Sequence, residues 1–271
     1  MNKKRVLKLT ETALMLALAT VLSLVKIFEL PYGGSITAFS MVPIMIVAFR
    51  YGTKWGMISG FVYSVIQLLF GISNLSYATS AGAAVAIVLL DYIFAFSFIG
   101  LADIFSKQIK DKGISAALGA TFVCCIRYFF HVISGCTVWA GISIPTGAAL
   151  VYSLSYNATY MIPEAIINIA MAFWICKTLN FSGETITRAE KTTSSAKVMV
   201  FGSLSILSIL SAVVIDALAF FLPLQNAESG ELDFSLVSNV NFPIIIIASI
   251  AGILLCIIFQ IIANLLKKKT A

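Results

Sequence analysis

Charge is what this sequence has least of. Only 11% of its 271 residues are Asp, Glu, Lys or Arg, against 60% hydrophobic, and the mean hydropathy is +1.00. That balance excludes an ordinary soluble globular domain. Histidine occurs once, at His131. There is no Gly-x-x-x-x-Gly-Lys-Ser/Thr, no His-Glu-x-x-His and no nucleophile–base pair, so the chain does not hydrolyse ATP unaided and does not read as an enzyme. Its five cysteines (Cys124, Cys125, Cys136, Cys176, Cys256) lie in or near apolar stretches without Cys-x-x-Cys spacing. They argue against a metal centre or a disulfide framework and read as small packing thiols.

What is present is a pattern. All but two of the eighteen Lys and Arg residues fall into five clusters: Lys3/Lys4/Arg5/Lys8, Arg50/Lys54, Lys107/Lys110/Lys112, Lys177/Arg188/Lys191/Lys197 and Lys267/Lys268/Lys269. The alternate gaps, near 30–37, 72–80, 139–147 and 223–241, contain no Lys or Arg. Basic loops held in the cytoplasm and neutral or acidic loops carried across give this pattern, so a multi-pass membrane protein is expected. The net charge of +6 then reflects orientation and anionic headgroups rather than nucleic acid.

A span takes roughly 20 mostly apolar residues. That rule predicts helices at roughly 8–28, 36–51, 54–72, 81–105, 114–138, 148–176, 198–222 and 242–266. The apolar run from Thr12 is read as a retained first helix rather than a signal peptide, since Lys26 and Glu29 follow without a small-residue cleavage site. Eight spans place both termini in the cytoplasm and the acidic loop Glu228/Glu231/Asp233 outside. Pro43 leaves the ends of the second helix open, and Pro163 predicts a kink in the sixth. Residues 181–197, polar and of mixed charge, predict a cytoplasmic linker between a six-helix unit (1–180) and a two-helix appendage (198–271).

Ionisable groups within spans are costly, so each is a candidate for function. The topology puts Asp91, Arg127, His131, Trp139, Tyr152, Tyr156, Asn157 and Tyr160 at one depth in the outer half of the bilayer. One carboxylate among aromatic rings, an imidazole and an amide suits a small aromatic cation, for which a ring face adds roughly 0.5–2 kcal/mol. Structural readings compete. Asp91 can pair with Arg127, His131 can serve helix–helix contact, and Trp139, Tyr152 and Tyr156 can belong to an interfacial belt, as can Trp55 and Trp174. Glu164 can stabilise the helix restarted after Pro163. Asp216 lies in the seventh span with no evident partner. Ala13 and Ala17 form a small-xxx-small face of the first helix that lets another helix approach closely.

Several ordered motifs carry a resemblance: Pro31-Tyr-Gly-Gly-Ser-Ile-Thr, Met41-Val-Pro-Ile-Met-Ile-Val-Ala-Phe-Arg-Tyr-Gly, Leu89-Leu-Asp-Tyr-Ile-Phe-Ala-Phe, Arg127-Tyr-Phe-Phe-His-Val-Ile-Ser-Gly, Tyr152-Ser-Leu-Ser-Tyr-Asn, and Pro163-Glu164. Over roughly residues 7–180 the chain resembles the thiamine-specific S components (ThiT/YuaJ) of energy-coupling factor transporters. The resemblance implies a six-helix vitamin-binding unit with its pocket near the outer face. By motif it assigns ligand contact to Asp91, Tyr92, His131, Gly135, Trp139, Tyr152 and Asn157. Ala13 and Ala17 match the family's docking face for a transmembrane coupling subunit that rides on two ATPases. The helices beyond residue 180 depart from the family pattern, and the loop 71–80 aligns poorly, leaving Tyr77 a possible pocket residue.

The expectation is therefore a substrate-binding subunit in the bacterial cell membrane, without cofactor or metal, that captures thiamine and relies on partner ATPases. The rivals are an S component for another vitamin or thiamine precursor, and a stand-alone secondary transporter. The glycine pair in loop 30–37 marks a candidate lid.

Overall fold

The computed structural model describes residues 3–30, 33–142, 144, 146, 149–181, 183–189, 196–224 and 234–270. Pro31, Tyr32, Lys191, most of the expected linker's second half and the acidic loop Glu228/Glu231/Asp233 lie outside the described residues.

The eight apolar segments are helical: α1 (Lys3–Leu24), α2 (Val42–Tyr51), α3 (Thr53–Phe70), α4 (Ala81–Asp103), α5 (Lys112–Thr137), α6 (Ala149–Thr178), α7 (Ala196–Phe221) and α8 (Phe242–Thr270). The protein is thus an all-α membrane protein. Among the described residues six segments are long and apolar enough to cross a bilayer: α1, α4, α5, α6, Val200–Leu224 and Phe242–Leu266. The ten residues of α2 rise about 15 Å, half the roughly 30 Å hydrocarbon thickness.

The first helix ends earlier and the second starts later than expected because the chain between them is a β-hairpin. Strands β1 (Lys26–Glu29) and β2 (Ser35–Thr37) pair antiparallel, with Lys26 opposite Thr37, Phe28 opposite Ile36 and Glu29 opposite Ser35. Its apolar residues Phe28, Leu30 and Ile36 are buried. Lys26 is accounted for by an exposed ion pair with Glu29 on the same strand. Pro43 falls in the first turn of α2, where no intrahelical N–H is required, so it starts the helix rather than interrupting it. Gly52, with φ of +84°, alone separates α2 from α3.

Pro163 lies inside α6, and the helix runs through it. Helix α4 is irregular. From Val88 to Phe94 it is wound as a π-helix, and from Phe98 to Asp103 as a 3-10 helix. Glycines let its neighbours come close. A Cβ on Gly100 would lie 2.1 Å from Met57 N, and one on Gly119 only 1.8 Å from the Ala102 carbonyl oxygen.

The chain divides into two compact units, residues 1–173 and 174–271. In the second unit a two-residue ribbon, β3 (Leu179–Asn180) with β4 (Thr187–Arg188), precedes α7. Helices α7 and α8 pack along a seam of small and polar residues, where Gly252 meets Ala212 and Ser205 donates to Gln260. Asp216 has a partner there: Ser249 Oγ donates to it at 2.6 Å. The opposite face of α8 exposes isoleucine and leucine, as lipid contact requires.

Candidate ligand-binding site

The site is built from two facing helical stripes and one carboxylate. On α5, Arg127, His131, Ser134 and Gly135 share a face at i, i+4, i+7 and i+8; on α6, Ser153, Asn157, Tyr160 and Glu164 share one at i, i+4, i+7 and i+11. The stripes meet in rungs. Gly135 lies against Ser153, whose hydroxyl a Cβ on that glycine would approach to 2.1 Å. The Asn157 amide donates to the His131 carbonyl at 3.3 Å. Arg127 Nη1 donates to Glu164 Oε2 at 2.6 Å.

Asp91 reaches this ladder from the π-wound turn of α4, a distortion frequent at functional sites. Its Oδ1 lies 2.9 Å from His131 Nδ1, and its Oδ2 accepts from Ser134 Oγ at 2.6 Å and from Trp139 Nε1 at 2.9 Å. An ionised carboxylate only accepts, so Nδ1 carries a proton, and in the neutral imidazole Nε2 is an acceptor. That Nε2 is buried and has no hydrogen-bond partner among the described residues. The alternative Asp91–Arg127 pair is not formed. Arg127 is paired with Glu164, so Glu164 holds a buried cation instead of serving a helix terminus. Among the described residues no Lys or Arg pairs with Asp91.

Aromatic rings extend the site along α6. Tyr152 stacks on Tyr156 with centroids 6.4 Å apart, Tyr156 meets Tyr160 edge-on at 6.1 Å, and Tyr160 faces His131 at 6.5 Å. The Tyr160 hydroxyl donates to Asn157 Oδ1 at 2.6 Å. Tyr77 lies 5.8 Å from the Trp139 ring, which brings the poorly aligned loop to the site. Tyr92, although next to Asp91, turns elsewhere. Its hydroxyl donates to the Gly71 carbonyl and accepts from Asn74 Nδ2, both at 3.0 Å.

The hairpin closes on the same layer. Gly34 packs on the Tyr160 ring, which a Cβ there would meet at 3.0 Å. Gly33, with φ of +101°, lies against the Asn74 amide.

Thus Asp91, His131, Trp139 and Asn157 are brought together, Gly135 packs beneath them, and Tyr92 and Tyr152 stand at the margins. Ser134, Ser153 and Asn74 are further site residues beyond the sequence-predicted candidates. Ser134 and Ser153 have the i+3 and i−4 spacing from His131 and Asn157 that would have marked the first two; nothing local marks Asn74.

On the other side of α1, Ala13 and Ala17 line an open apolar groove with Leu16, Thr20, Val21, Ile66, Leu69 and Phe70.

Comparison with known proteins covers the first unit and the start of the second. Residues 9–182 match the family model described as thiamine transporter protein. The chain is 34% identical over 178 residues to Thiamine transporter ThiT of Bacillus subtilis, spanning 61% of this chain and 88% of that protein. It is 28% identical over 185 residues to Thiamine transporter ThiT of Lacticaseibacillus paracasei, spanning 62% and 86%. A solved structure of ThiT from Listeria monocytogenes superposes with a TM-score of 0.53 at 24% identity, covering 65% of this chain and 96% of that one, a likeness of fold.

Proposed function

We propose, from the premise that the chain belongs to the thiamine transporter protein family, that it captures thiamine at the outer face of the bacterial cell membrane and serves as the substrate-binding subunit of an energy-coupling factor transporter. The protein is multi-pass in that membrane, and its relatives are named for transport rather than catalysis.

One observation carries the reading: the Asp91 carboxylate is held by three donors, yet no Lys or Arg side chain among the described residues pairs with it. A cation arriving from outside meets an oriented, uncancelled negative charge. The thiazolium of thiamine supplies that cation, and the flanking rings of Trp139 and Tyr77 supply faces for it. The aminopyrimidine amine of thiamine is a donor suited to His131 Nε2. Tyr152, Asn157 and Gly135 shape the aromatic side of the pocket, with Tyr92 holding the π-turn from behind. The hairpin carrying Gly33 and Gly34 is the lid.

Both termini lie in the cytoplasm on this reading, following the basic clusters. The energy comes from partners: a transmembrane coupling subunit that docks on the Ala13/Ala17 groove, and two ATPases attached to it. Residues 1–180 form the binding unit, 181–197 the linker and 198–271 an appendage not needed for recognition. Titration of the purified protein with thiamine, followed by tryptophan fluorescence, tests the proposal. Saturable quenching by thiamine but not riboflavin supports it; saturation by riboflavin alone reassigns the vitamin.

A further inference from the structure

The hairpin is fastened to the bundle by a buried charge. Its backbone hydrogen bonds close on themselves: Leu30 N–H donates to the Gly34 carbonyl at 2.6 Å and Ala38 N–H to the Val25 carbonyl at 3.1 Å. A ribbon satisfied internally moves as one piece. At one margin stands Phe39, whose φ of +48° puts a bulky residue in the left-handed region, where backbone strain is held only if its surroundings hold it.

What holds it is next to Phe39. Thr37 Oγ1 donates to Glu164 Oε1 at 2.7 Å, and Ser40 Oγ lies 2.7 Å from the same hydroxyl. Since the threonine proton goes to the carboxylate, Ser40 is the donor to Thr37. The other glutamate oxygen takes Arg127. Arg127 also reaches Met41 Sδ at 3.5 Å and stands 4.7 Å over the Phe96 ring. All five polar or thioether side chains are buried, and Arg127 Nε has no partner among the described residues. The ion pair is therefore not over-supplied with hydrogen bonds, and the single one from Thr37 counts.

Position gives this cluster its meaning. Arg127 lies one turn from His131 on α5, and Glu164 one turn from Tyr160 on α6. The hairpin accordingly touches Tyr160 at Gly34 and Glu164 at Thr37, lying across two successive rungs of the ladder. We infer that Thr37, Glu164 and Arg127 form a latch that holds the hairpin shut over the ligand layer and sets how fast ligand exchanges. The inference rests on the thiamine-binding reading for its ligand, and on the geometry alone for its moving part.

Thr37→Val in the full chain tests it, since valine keeps the shape and loses the donor. Hydrogen–deuterium exchange follows the hairpin amides without ligand, and stopped-flow fluorescence follows thiamine entry and release. A hydrogen bond to a charged group is worth about ten-fold in such an equilibrium. The expected result is hairpin exchange about ten-fold faster, with thiamine both entering and leaving faster, so that affinity shifts less than either rate. Thr37→Ser restores all three. If Thr37→Val does not fold, Ser40→Ala, which removes only the hydroxyl behind Thr37, is expected to give a two- to three-fold acceleration by the same reasoning. Unchanged hairpin exchange in the folded variant overturns the latch, as does slower binding with unchanged release. If the unmodified chain binds no thiamine, the functional reading fails, and the exchange of the hairpin amides still judges the latch.

Discussion

The indole nitrogen of Trp139 donates to the Asp91 carboxylate at 2.9 Å. A fluorophore is thus bonded directly to the charge that the ligand is proposed to neutralise. Trp139→Phe is expected to abolish the fluorescence response to thiamine while calorimetry still detects binding, weakened about ten-fold by loss of one charged hydrogen bond and ring area. Trp55 bonds Thr12, and Trp174 bonds Ser203, so neither should replace the signal.

Removing the charge is more severe. Asp91→Asn keeps the side-chain shape and can still accept from Ser134 or Trp139. A pair of unit charges near 4 Å in a partly buried setting is worth about 4 kcal/mol at most. Thiamine affinity should fall at least a hundred-fold by calorimetry, whereas an uncharged analogue should lose little. Equal losses for both would mean that Asp91 shapes the pocket without reading charge.

Gly135 and Ser153 occupy one space. Gly135→Ala puts a methyl where the serine hydroxyl stands, and overpacking of this kind costs about 1–3 kcal/mol. A lowered unfolding temperature in detergent and weakened binding are expected. Gly135→Ala with Ser153→Ala should recover part of both, because the serine oxygen is the nearest obstruction.

The groove on α1 separates binding from uptake. Leucine at both Ala13 and Ala17 fills it without touching the Asp91 layer, so thiamine affinity of the purified protein should stay within two-fold, while uptake by cells should fall to background. Small faces of this type work by close approach of a partner helix. Loss of binding as well would place the defect in folding rather than docking.

Truncation after Asn180 is expected to leave thiamine affinity unchanged by calorimetry, because every residue named in the site lies within the compact unit 1–173. Abolished binding in a folded truncation would assign the second unit a part in recognition.

Much of the architecture was legible because membrane spans announce themselves by composition. The eight apolar segments, the basic clusters between them and the candidate residues Asp91, His131, Trp139 and Asn157 needed only hydropathy and helical spacing. The hairpin was hidden by its own chemistry. Lys26 and Glu29 have the i, i+3 spacing of a helical pair, and Pro43 looks like a break rather than a start. Partner choice was hidden too. Arg127 had two acids within apolar segments to choose from, and only the packed structure selects Glu164, 37 residues away, over Asp91. Serines in spans usually bond their own preceding turn, so only its spacing from His131 sets Ser134 apart from Ser115. The π-winding that presents Asp91 left no mark in the residues themselves.

The short segment Ile72–Tyr77 buries none of its side chains, yet Asn74 bonds Tyr92 behind the carboxylate and abuts Gly33 of the hairpin, while Tyr77 meets the Trp139 ring. A stretch with so little invested in the core is free to drift over generations. Substitutions there would, on the proposed reading, retune the ligand's surroundings while leaving the rest of the scaffold intact.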